Sequence, residues 1–286
     1  MPAADIVAID SHAHVFERGL PLAAQRRHAP GYDALLGDYL ALLDRQDISH
    51  GVLVQPSFLG TDNRYWLDAV ARLPARLRGV AVVDPSIAPS ALDDLARRGT
   101  VGIRCNLVGV DIPDFASAEW QGLLAQVRRL DWHLELHRDA VDLPGLLDTL
   151  LASGCRLVID HLGRPDPVLG RADPGFAALL RAAGSGRVWV KLSAAYRTAR
   201  SPRADAAGRT AELADIDRRS ARDTVAALLG AFGPERLVWG SDWPHTQHQE
   251  FIDFAGSRAL LDEWVPDVAQ RRRILVDTPA ELFRFG

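Results

Sequence analysis

Eight short apolar segments rich in β-forming residues recur along the 286-residue chain, with longer amphipathic segments between them. The predicted strands span residues 7–14, 51–57, 79–86, 101–107, 133–137, 156–163, 188–194 and 237–242. Near-continuous apolar runs are typical of strands buried on both faces, and their alternation with helices predicts a parallel sheet. Eight repetitions favour closure of that sheet. The predicted fold is therefore α/β, a (β/α)8 TIM barrel that forms a single domain over residues 1–286.

An open, doubly wound sheet is the alternative architecture for this pattern. Such a sheet would carry a glycine-rich phosphate-binding turn after its first strand, and that turn holds Ser11-His12-Ala13-His14 here. After the seventh strand, residues 198–217 form an irregular stretch that is poor in large apolar side chains. This long connection fits either a lid over the site or a solvated loop with a helical turn.

Composition excludes several classes of protein. The formal net charge is −4, from 33 basic and 37 acidic side chains, and the arginines are scattered, so no nucleic-acid partner is expected. Two cysteines, Cys105 and Cys155, are too few for a disulfide framework or a cysteine-based zinc site. No apolar stretch reaches membrane-spanning length and no signal peptide is recognisable, so we expect a cytoplasmic protein without a membrane partner.

Polar side chains gather where the predicted strands end, which is where the active sites of such barrels lie. His12 and His14 are two residues apart in the first strand and therefore point to the same side. Asp242 ends the last strand, and a closed barrel would bring it beside them. The other polar residues at these ends are Gln55, Ser57, Arg104, Asn106, His137, Arg138, Asp160, His161, Arg164, Lys191, Ser193 and Tyr196. Converging imidazoles and a carboxylate suit a metal ion or a water that must lose a proton.

The position of each residue within its strand separates functional from structural candidates. Four residues are predicted to be catalytic, namely Asp242, His161, His12 and His14. A buried carboxylate or pair of imidazoles is costly unless it is partnered. Asp10 is expected to support the site, and His245 is the loop histidine best placed to touch a substrate. His50 and His133 begin their strands, at the opposite end of the barrel, and are expected to be structural.

A metal site in this chain would hold one ion. Barrels that bind two metals bridge them with a carboxylated lysine at the end of the fourth strand, where this chain has Arg104. Arginine cannot be carboxylated, and its charge would repel a second cation. The ligands of a single ion would be His12, His14, His137 and Asp242, with His161 beside it. Imidazole and carboxylate ligands favour zinc, so the expected cofactor is one divalent ion, zinc first, or none.

Together these motifs resemble the amidohydrolase superfamily, and within it the lactonases that include 2-pyrone-4,6-dicarboxylate lactonase. The segments that carry the resemblance are 10–16, 61–64, 102–106, 140–144, 160–166 and 239–245. The resemblance implies hydrolysis of the ring ester of a small acidic compound. The pyrone dicarboxylate lactonase works without a metal and has tyrosine where this chain has His137. The chain therefore departs from that lactonase at a candidate metal ligand.

The expected chemistry is attack of water on a lactone carbonyl, with Asp242 as the general base. Without a metal, hydrogen bonds from His12, His14 and His161 would stabilise the developing oxyanion. Guanidinium groups bind carboxylates in a bidentate manner, which makes arginines the first candidates for substrate recognition. The candidate substrate-binding residues are Arg104, Arg164, Arg64, Tyr196 and His245, with Arg138 and Lys191 as weaker candidates.

Two other functions use the same residues. A metal-dependent, non-oxidative decarboxylase of the amidohydrolase-related group would release carbon dioxide, whereas a lactonase consumes base. A binding protein that kept the pocket is the other possibility, but buried polar groups are costly to keep without chemistry. The sequence predicts neither the identity of the lactone nor the oligomeric state.

Overall fold

The structure of the protein is a computed structural model that describes residues 6–198 and 211–286. Its eight strands form one sheet in which every strand pairs in parallel with the next one along the chain. The strands are β1 Ile9–Ala13, β2 His50–Val54, β3 Leu77–Ala81, β4 Thr100–Asn106, β5 His133–His137, β6 Arg156–Ile159, β7 Val188–Leu192 and β8 Leu237–Trp239. The predicted (β/α)8 barrel is confirmed.

The residues after β8 bring the two edges of the sheet together. Trp243 forms a parallel bridge with Ala13. The amide of Asp242 donates to the carbonyl of His12 over 2.9 Å, and the amide of His14 donates to the carbonyl of Trp243 over 2.8 Å. The histidine pair and the carboxylate are therefore backbone neighbours, although 230 positions separate them in the chain.

The helices pack against the outer faces of the strands. They are α1 Leu36–Arg45, α2 Arg64–Arg72, α3 Pro89–Arg97, α4 Ala118–Arg129, α5 Leu143–Ala152, α6 Pro174–Ala182, α7 Ala211–Phe232, α8 Phe254–Trp264, α9 Val268–Arg272 and α10 Thr278–Leu282. Asp173, Asp253 and Asp267 begin α6, α8 and α9, where their carboxylates accept hydrogen bonds from backbone amides of the first turn. Such caps satisfy amides that have no partner within the helix.

Apolar side chains close the amino-terminal end of the barrel. The cluster consists of Ile9, Val52, Val54, Val80, Val101, Val158, Val238, Leu282, Phe283 and Phe285. The ring centroid of Phe283 lies 5.4 Å from that of His133, and the centroid of Phe285 lies 4.9 Å from that of His50. These two histidines therefore lie at the end of the barrel opposite to the strand ends that carry the polar residues.

Several boundaries differ from the predicted ones. β3 begins at Leu77, which pairs with Gly51, and ends at Ala81, whereas the prediction was 79–86. β8 ends at Trp239, and the following residues leave the ladder toward β1. α7 begins at Ala211, so the end of the predicted irregular stretch 198–217 is helical. Residues 199–210 of that stretch lie outside the described residues. Within the described ranges, no helix is long and apolar enough to cross a membrane.

Candidate active site

Three imidazole rings surround one carboxylate oxygen at the carboxyl ends of the strands. Oδ1 of Asp242 lies 3.6 Å from Nε2 of His12, 3.9 Å from Nε2 of His14 and 3.8 Å from Nε2 of His161. All four residues are buried. The structure therefore brings together the four residues that the sequence singles out as catalytic, around a single oxygen atom.

The two oxygens of the Asp242 carboxylate have different surroundings. Oδ2 accepts a hydrogen bond of 2.8 Å from Nε of Arg197 and another from the hydroxyl of Tyr196. Oδ1 has no hydrogen-bond partner among the described residues. Burial acts to raise the pKa of Asp242, but the guanidinium of Arg197 outweighs it and holds that pKa well below its usual value. Asp242 is thus ionised, with one oxygen left to act on a reactant.

Asp10 fastens the first strand to the residues after the last one. Its Oδ1 accepts from the amides of His12, at 3.1 Å, and Ser241, at 2.8 Å. Its Oδ2 accepts from the hydroxyls of Ser241, at 2.6 Å, and Tyr39, at 3.0 Å. Residue 240, which follows β8, must be glycine, because a Cβ on Gly240 would lie 2.6 Å from the Cβ of His12. Asp10 thereby supports the site without facing the cavity.

His14 and His161 are each held by a hydrogen bond at Nδ1. Nδ1 of His14 lies 2.7 Å from the carbonyl oxygen of Val54, to which it donates, so its Nε2 carries a lone pair. Nδ1 of His161 lies 2.9 Å from the hydroxyl of Ser193. Burial lowers the pKa of His14 to about 4 and that of His161 to about 3. Both rings are therefore neutral at physiological pH.

Four charged side chains lie beneath the histidines inside the barrel, and we call them the buried quartet: Arg104, Glu135, Asp160 and Lys191. Their side chains are at most 3% exposed. Nζ of Lys191 lies 2.5 Å from Oε2 of Glu135, and Nη2 of Arg104 lies 2.9 Å from Oδ2 of Asp160. Burial acts to raise the pKa of Asp160, but Lys191 and Arg104 lower it well below its usual value. The prediction that Lys191 contacts a substrate is wrong, because its ammonium is enclosed by protein.

The donors at the site fit a single metal ion. Nitrogen or oxygen atoms of His12, His14 and Asp242 lie within 4.8 Å of one another. The ligands of a tetrahedral zinc ion with bonds of about 2.0 Å lie roughly 3.3 Å apart, so these atoms would move closer together around an ion. Nε2 of His12 and Oδ1 of Asp242 have no hydrogen-bond partner in the described structure, as expected of atoms kept for a ligand. His12, Asp160 and His161 form a second such group.

His137 belongs to neither of these groups. Its Nδ1 lies 3.2 Å from Nη2 of Arg104, and because a guanidinium can only donate, Nδ1 of His137 must accept. In a neutral ring the hydrogen is then on Nε2. The role of His137 as a metal ligand stays a prediction. The hydrogen on Nε2 does not favour it, because a metal would bind the lone pair of that atom.

Guanidinium groups line the cavity above the carboxylate. Arg27, Arg104 and Arg197 face it together with His28, Phe58 and Asn106. Arg27 makes a weak hydrogen bond of 3.4 Å to Asn106, and no carboxylate pairs with it among the described residues. Burial and the guanidiniums of Arg104 and Arg197 lower the pKa of Arg27. The lining of the cavity therefore carries positive charge that would suit an anion.

The structure does not bring every predicted substrate residue to this cavity. Arg64 is exposed, pairs with Asp62 over 2.6 Å and borders a separate depression on the surface. Arg164 pairs with Asp139 over 2.6 Å and lines an adjoining cavity, which it shares with Arg197. His245 is buried, and it does not line the cavity above Asp242. Arg138 pairs with Asp142 over 2.7 Å.

Sequence reasoning missed Arg197, Arg27 and Glu135. Glu135 has a signal in the sequence, because it lies two residues before His137 in an apolar strand and must share its inward face. Arg27 lies in a loop and Arg197 in a 3₁₀ helix of four residues, Ala195–Thr198, and neither segment has a periodicity that indicates the direction of a side chain. Only the folded chain brings them to Asp242.

Comparison with known proteins shows which family the whole chain matches. The protein-family model described as amidohydrolase matches residues 9–285. A 2-pyrone-4,6-dicarboxylate hydrolase of Comamonas testosteroni is 32% identical, over 96% of this chain and 90% of that protein. A 4-sulfomuconolactone hydrolase of Rhizobium radiobacter is 34% identical, over 96% of this chain and 89% of that protein.

Two solved structures extend the comparison. One, described as a 2-pyrone-4,6-dicarboxylic acid hydrolase from Pseudomonas putida, has a TM-score of 0.89 and 46% identity over 99% of each chain. An amidohydrolase from Burkholderia multivorans with bound zinc has a TM-score of 0.81 and 23% identity, over 98% of this chain and 99% of that chain. At that level of identity the second likeness shows a shared fold.

Proposed function

This chain belongs to the amidohydrolase family, and we propose that it hydrolyses the ring ester of a small lactone that carries an acidic group. The observation that carries the proposal is the ionised carboxylate of Asp242, whose Oδ1 lacks a donor in the described structure and lies beneath a cavity lined by guanidinium groups. The likeness to hydrolases of 2-pyrone-4,6-dicarboxylate and 4-sulfomuconolactone supports it.

Asp242 would accept a proton from the attacking water. Arg197 and Tyr196 occupy Oδ2 and fix the plane of the carboxylate, so the water would be bound by Oδ1. A carboxylate held in one orientation can remove a proton as the oxygen attacks the lactone carbonyl. The same carboxyl group would then return the proton to the leaving oxygen of the opened ring.

Neutral imidazoles that line the cavity would stabilise the developing negative charge on the carbonyl oxygen. His137 offers a hydrogen on Nε2, because its Nδ1 accepts from Arg104. His161 lies beside it, with 4.6 Å between the ring centroids. Donors preorganised in a buried site stabilise an oxyanion more than they would in water.

A single divalent ion, zinc first, would be held by Nε2 of His12, Nε2 of His14 and Oδ1 of Asp242. When bound, such an ion supplies Lewis acidity, which lowers the pKa of the attacking water and polarises the carbonyl group. The hydrogen bond from His14 to Val54 is the kind that orients a metal-binding imidazole. We propose His137 as a donor to the substrate in place of a fourth ligand.

The acidic group of the lactone would bind to the guanidiniums of the cavity. Arg104 is held by Glu135 and Asp160, and Arg197 is held by Asp242, so their charges are already partly compensated. Arg27 faces the cavity without such a carboxylate among the described residues. We therefore propose Arg27 as the first partner of a substrate carboxylate or sulfonate.

The test is a panel of lactones assayed by pH-stat titration, with and without a chelator. It contains 2-pyrone-4,6-dicarboxylate, 4-sulfomuconolactone and a neutral lactone such as γ-butyrolactone. Opening of an acidic member, with one equivalent of base consumed, would support the proposal. Carbon dioxide release from an aromatic or enoic acid would favour a decarboxylase, and inertness toward every acidic lactone would overturn the lactonase assignment.

A further inference from the structure

Lys191 is the only lysine in the chain, and all the other members of its 33 basic side chains are arginines. It lies on β7, and its side chain is 0% exposed. The one lysine ammonium of the chain therefore lies inside the barrel, beneath His12. The contacts of the ammonium show what it does there.

Three acceptors surround the Lys191 ammonium. Nζ lies 2.5 Å from Oε2 of Glu135, 2.9 Å from Nδ1 of His12 and 3.4 Å from Oδ1 of Asp160. An ammonium has three N–H donors arranged around a compact charge, and it has no lone pair.

The contact with His12 determines where the hydrogen of that imidazole lies. Because the ammonium can only donate, Nδ1 of His12 must accept, and the hydrogen of the neutral ring is then on Nε2. Nε2 points to Oδ1 of Asp242, 3.6 Å away, and into the site. We propose that Lys191 is a positioning residue that fixes this tautomer, so that His12 presents an N–H donor to the cavity.

Two carboxylate oxygens could accept a hydrogen bond from the alternative tautomer of His12. Oε1 of Glu135 and Oδ1 of Asp160 each lie 3.5 Å from Nδ1 of His12, and their present contacts are ion pairs, with Nε of Arg104 at 3.2 Å and with Nζ of Lys191 at 3.4 Å. Without Lys191, Nδ1 would donate to one of these carboxylates, and Nε2 would carry a lone pair. This is the arrangement that metal-binding histidines adopt.

The buried quartet also fixes the tautomer of a second imidazole ring, that of His137. Arg104 donates to Nδ1 of His137 just as Lys191 donates to Nδ1 of His12. His14 is the opposite case, because its Nδ1 donates to a backbone carbonyl and its Nε2 is an acceptor. The quartet therefore makes donors of two rings in the metal-free protein, and zinc could bind Nε2 of His12 only after the hydrogen on that atom is lost or moves to Nδ1.

The first experiment observes the tautomer directly in metal-free wild-type protein. Long-range proton–nitrogen NMR spectra of protein labelled with ¹⁵N-histidine distinguish a protonated from an unprotonated ring nitrogen, and the spectrum of His12→Gln assigns the signals. We expect the hydrogen of His12 on Nε2. A hydrogen on Nδ1 would overturn the proposal, whether or not any variant folds.

The second experiment removes the ammonium while keeping the charge of the quartet balanced, in the double variant Lys191→Met and Glu135→Gln. The hydrogen of His12 should move to Nδ1, and zinc alone should bind on the order of tenfold more tightly in calorimetry. The double variant Arg76→Met and Asp44→Asn, which removes an ion pair of 2.8 Å outside the barrel, should leave zinc affinity unchanged.

An unchanged tautomer and zinc affinity in a folded double variant would contradict the role of Lys191. Only the effect of the tautomer on turnover rests on the proposed lactonase function, where we expect a lower kcat with little change in KM. Since neither spectrum nor zinc titration needs a substrate, failure of the lactonase assignment would leave both results interpretable.

Discussion

Nε of Arg197 donates to Oδ2 of Asp242 over 2.8 Å, and this bond leaves the other oxygen of the carboxylate to the three imidazole rings. The ion pair keeps Asp242 ionised although it is only 1% exposed. It also gives the carboxylate one orientation, with Tyr196 as a second donor to the same oxygen. The reactive oxygen is therefore selected by two residues of the short 3₁₀ helix that follows β7.

Replacing Asp242 by asparagine should abolish proton transfer while preserving the fold. An amide oxygen can still accept from Arg197, but the side chain can no longer take a proton from water. We expect kcat to fall by about 10² to 10⁴-fold, the range for loss of a general base. Steady-state kinetics on a lactone that the wild type hydrolyses measure kcat, and circular dichroism checks the fold. Asp33→Asn, in a surface pair with Arg18, is the matched control. Turnover at the wild-type rate in Asp242→Asn would remove Asp242 from the mechanism.

Arg27→Met should weaken binding of acidic lactones. Loss of a charged hydrogen bond is worth about 1.5 to 3 kcal/mol, so KM should rise by about tenfold or more for an acidic lactone and stay constant for a neutral one. Arg64→Met is the control, because Arg64 pairs with Asp62 at a separate depression. Equal effects of the two substitutions on KM would contradict the assignment of Arg27.

Asp10→Ala should destabilise the barrel where it closes. The substitution leaves the amides of His12 and Ser241 and two hydroxyls without their buried acceptor. We expect the free energy of unfolding to fall by about 3 kcal/mol, measured by urea denaturation. Tyr39→Phe removes one of the four donors and should cost about 1 kcal/mol. A loss no greater than that of Tyr39→Phe would show that Asp10 does not hold the strands together.

His133→Leu should make the protein less sensitive to acid. Burial lowers the pKa of His133 well below its usual value, and neither of its ring nitrogens has a hydrogen-bond partner in the described part of the chain. As the pH falls, His133 therefore binds a proton more readily in the unfolded chain than in the folded chain. The free energy of unfolding decreases in consequence as the pH falls below 6.5.

Between pH 7 and pH 5 this contribution of His133 amounts to about 2 kcal/mol in the free energy of unfolding. Urea denaturation of wild type and His133→Leu at both pH values measures it. The variant should lose about 2 kcal/mol less than the wild type over this interval. An identical loss in the two proteins would mean that His133 takes up its proton over the same pH range in the folded and in the unfolded chain.

Local sequence pattern determined the architecture and the centre of the site. Continuous apolar runs with helices between them require a parallel sheet, and eight such runs predict its closure. The alternation of side chains along a strand places His12 and His14 on one face. Closure then brings Asp242 beside them. That residues 1–286 form a single domain stays a prediction.

Tertiary structure decided the partners of each polar group, because hydrogen bonds between distant segments leave no periodicity in a sequence. Arg197 reaches Asp242 from the short 3₁₀ helix after β7, whereas Arg64 is held on the surface by Asp62. Lys191 lies 179 residues from His12 in the chain, yet its ammonium touches the ring. The sequence thus determines which residues meet at the strand ends, and the fold determines which atom of each carries a hydrogen, a charge or a lone pair.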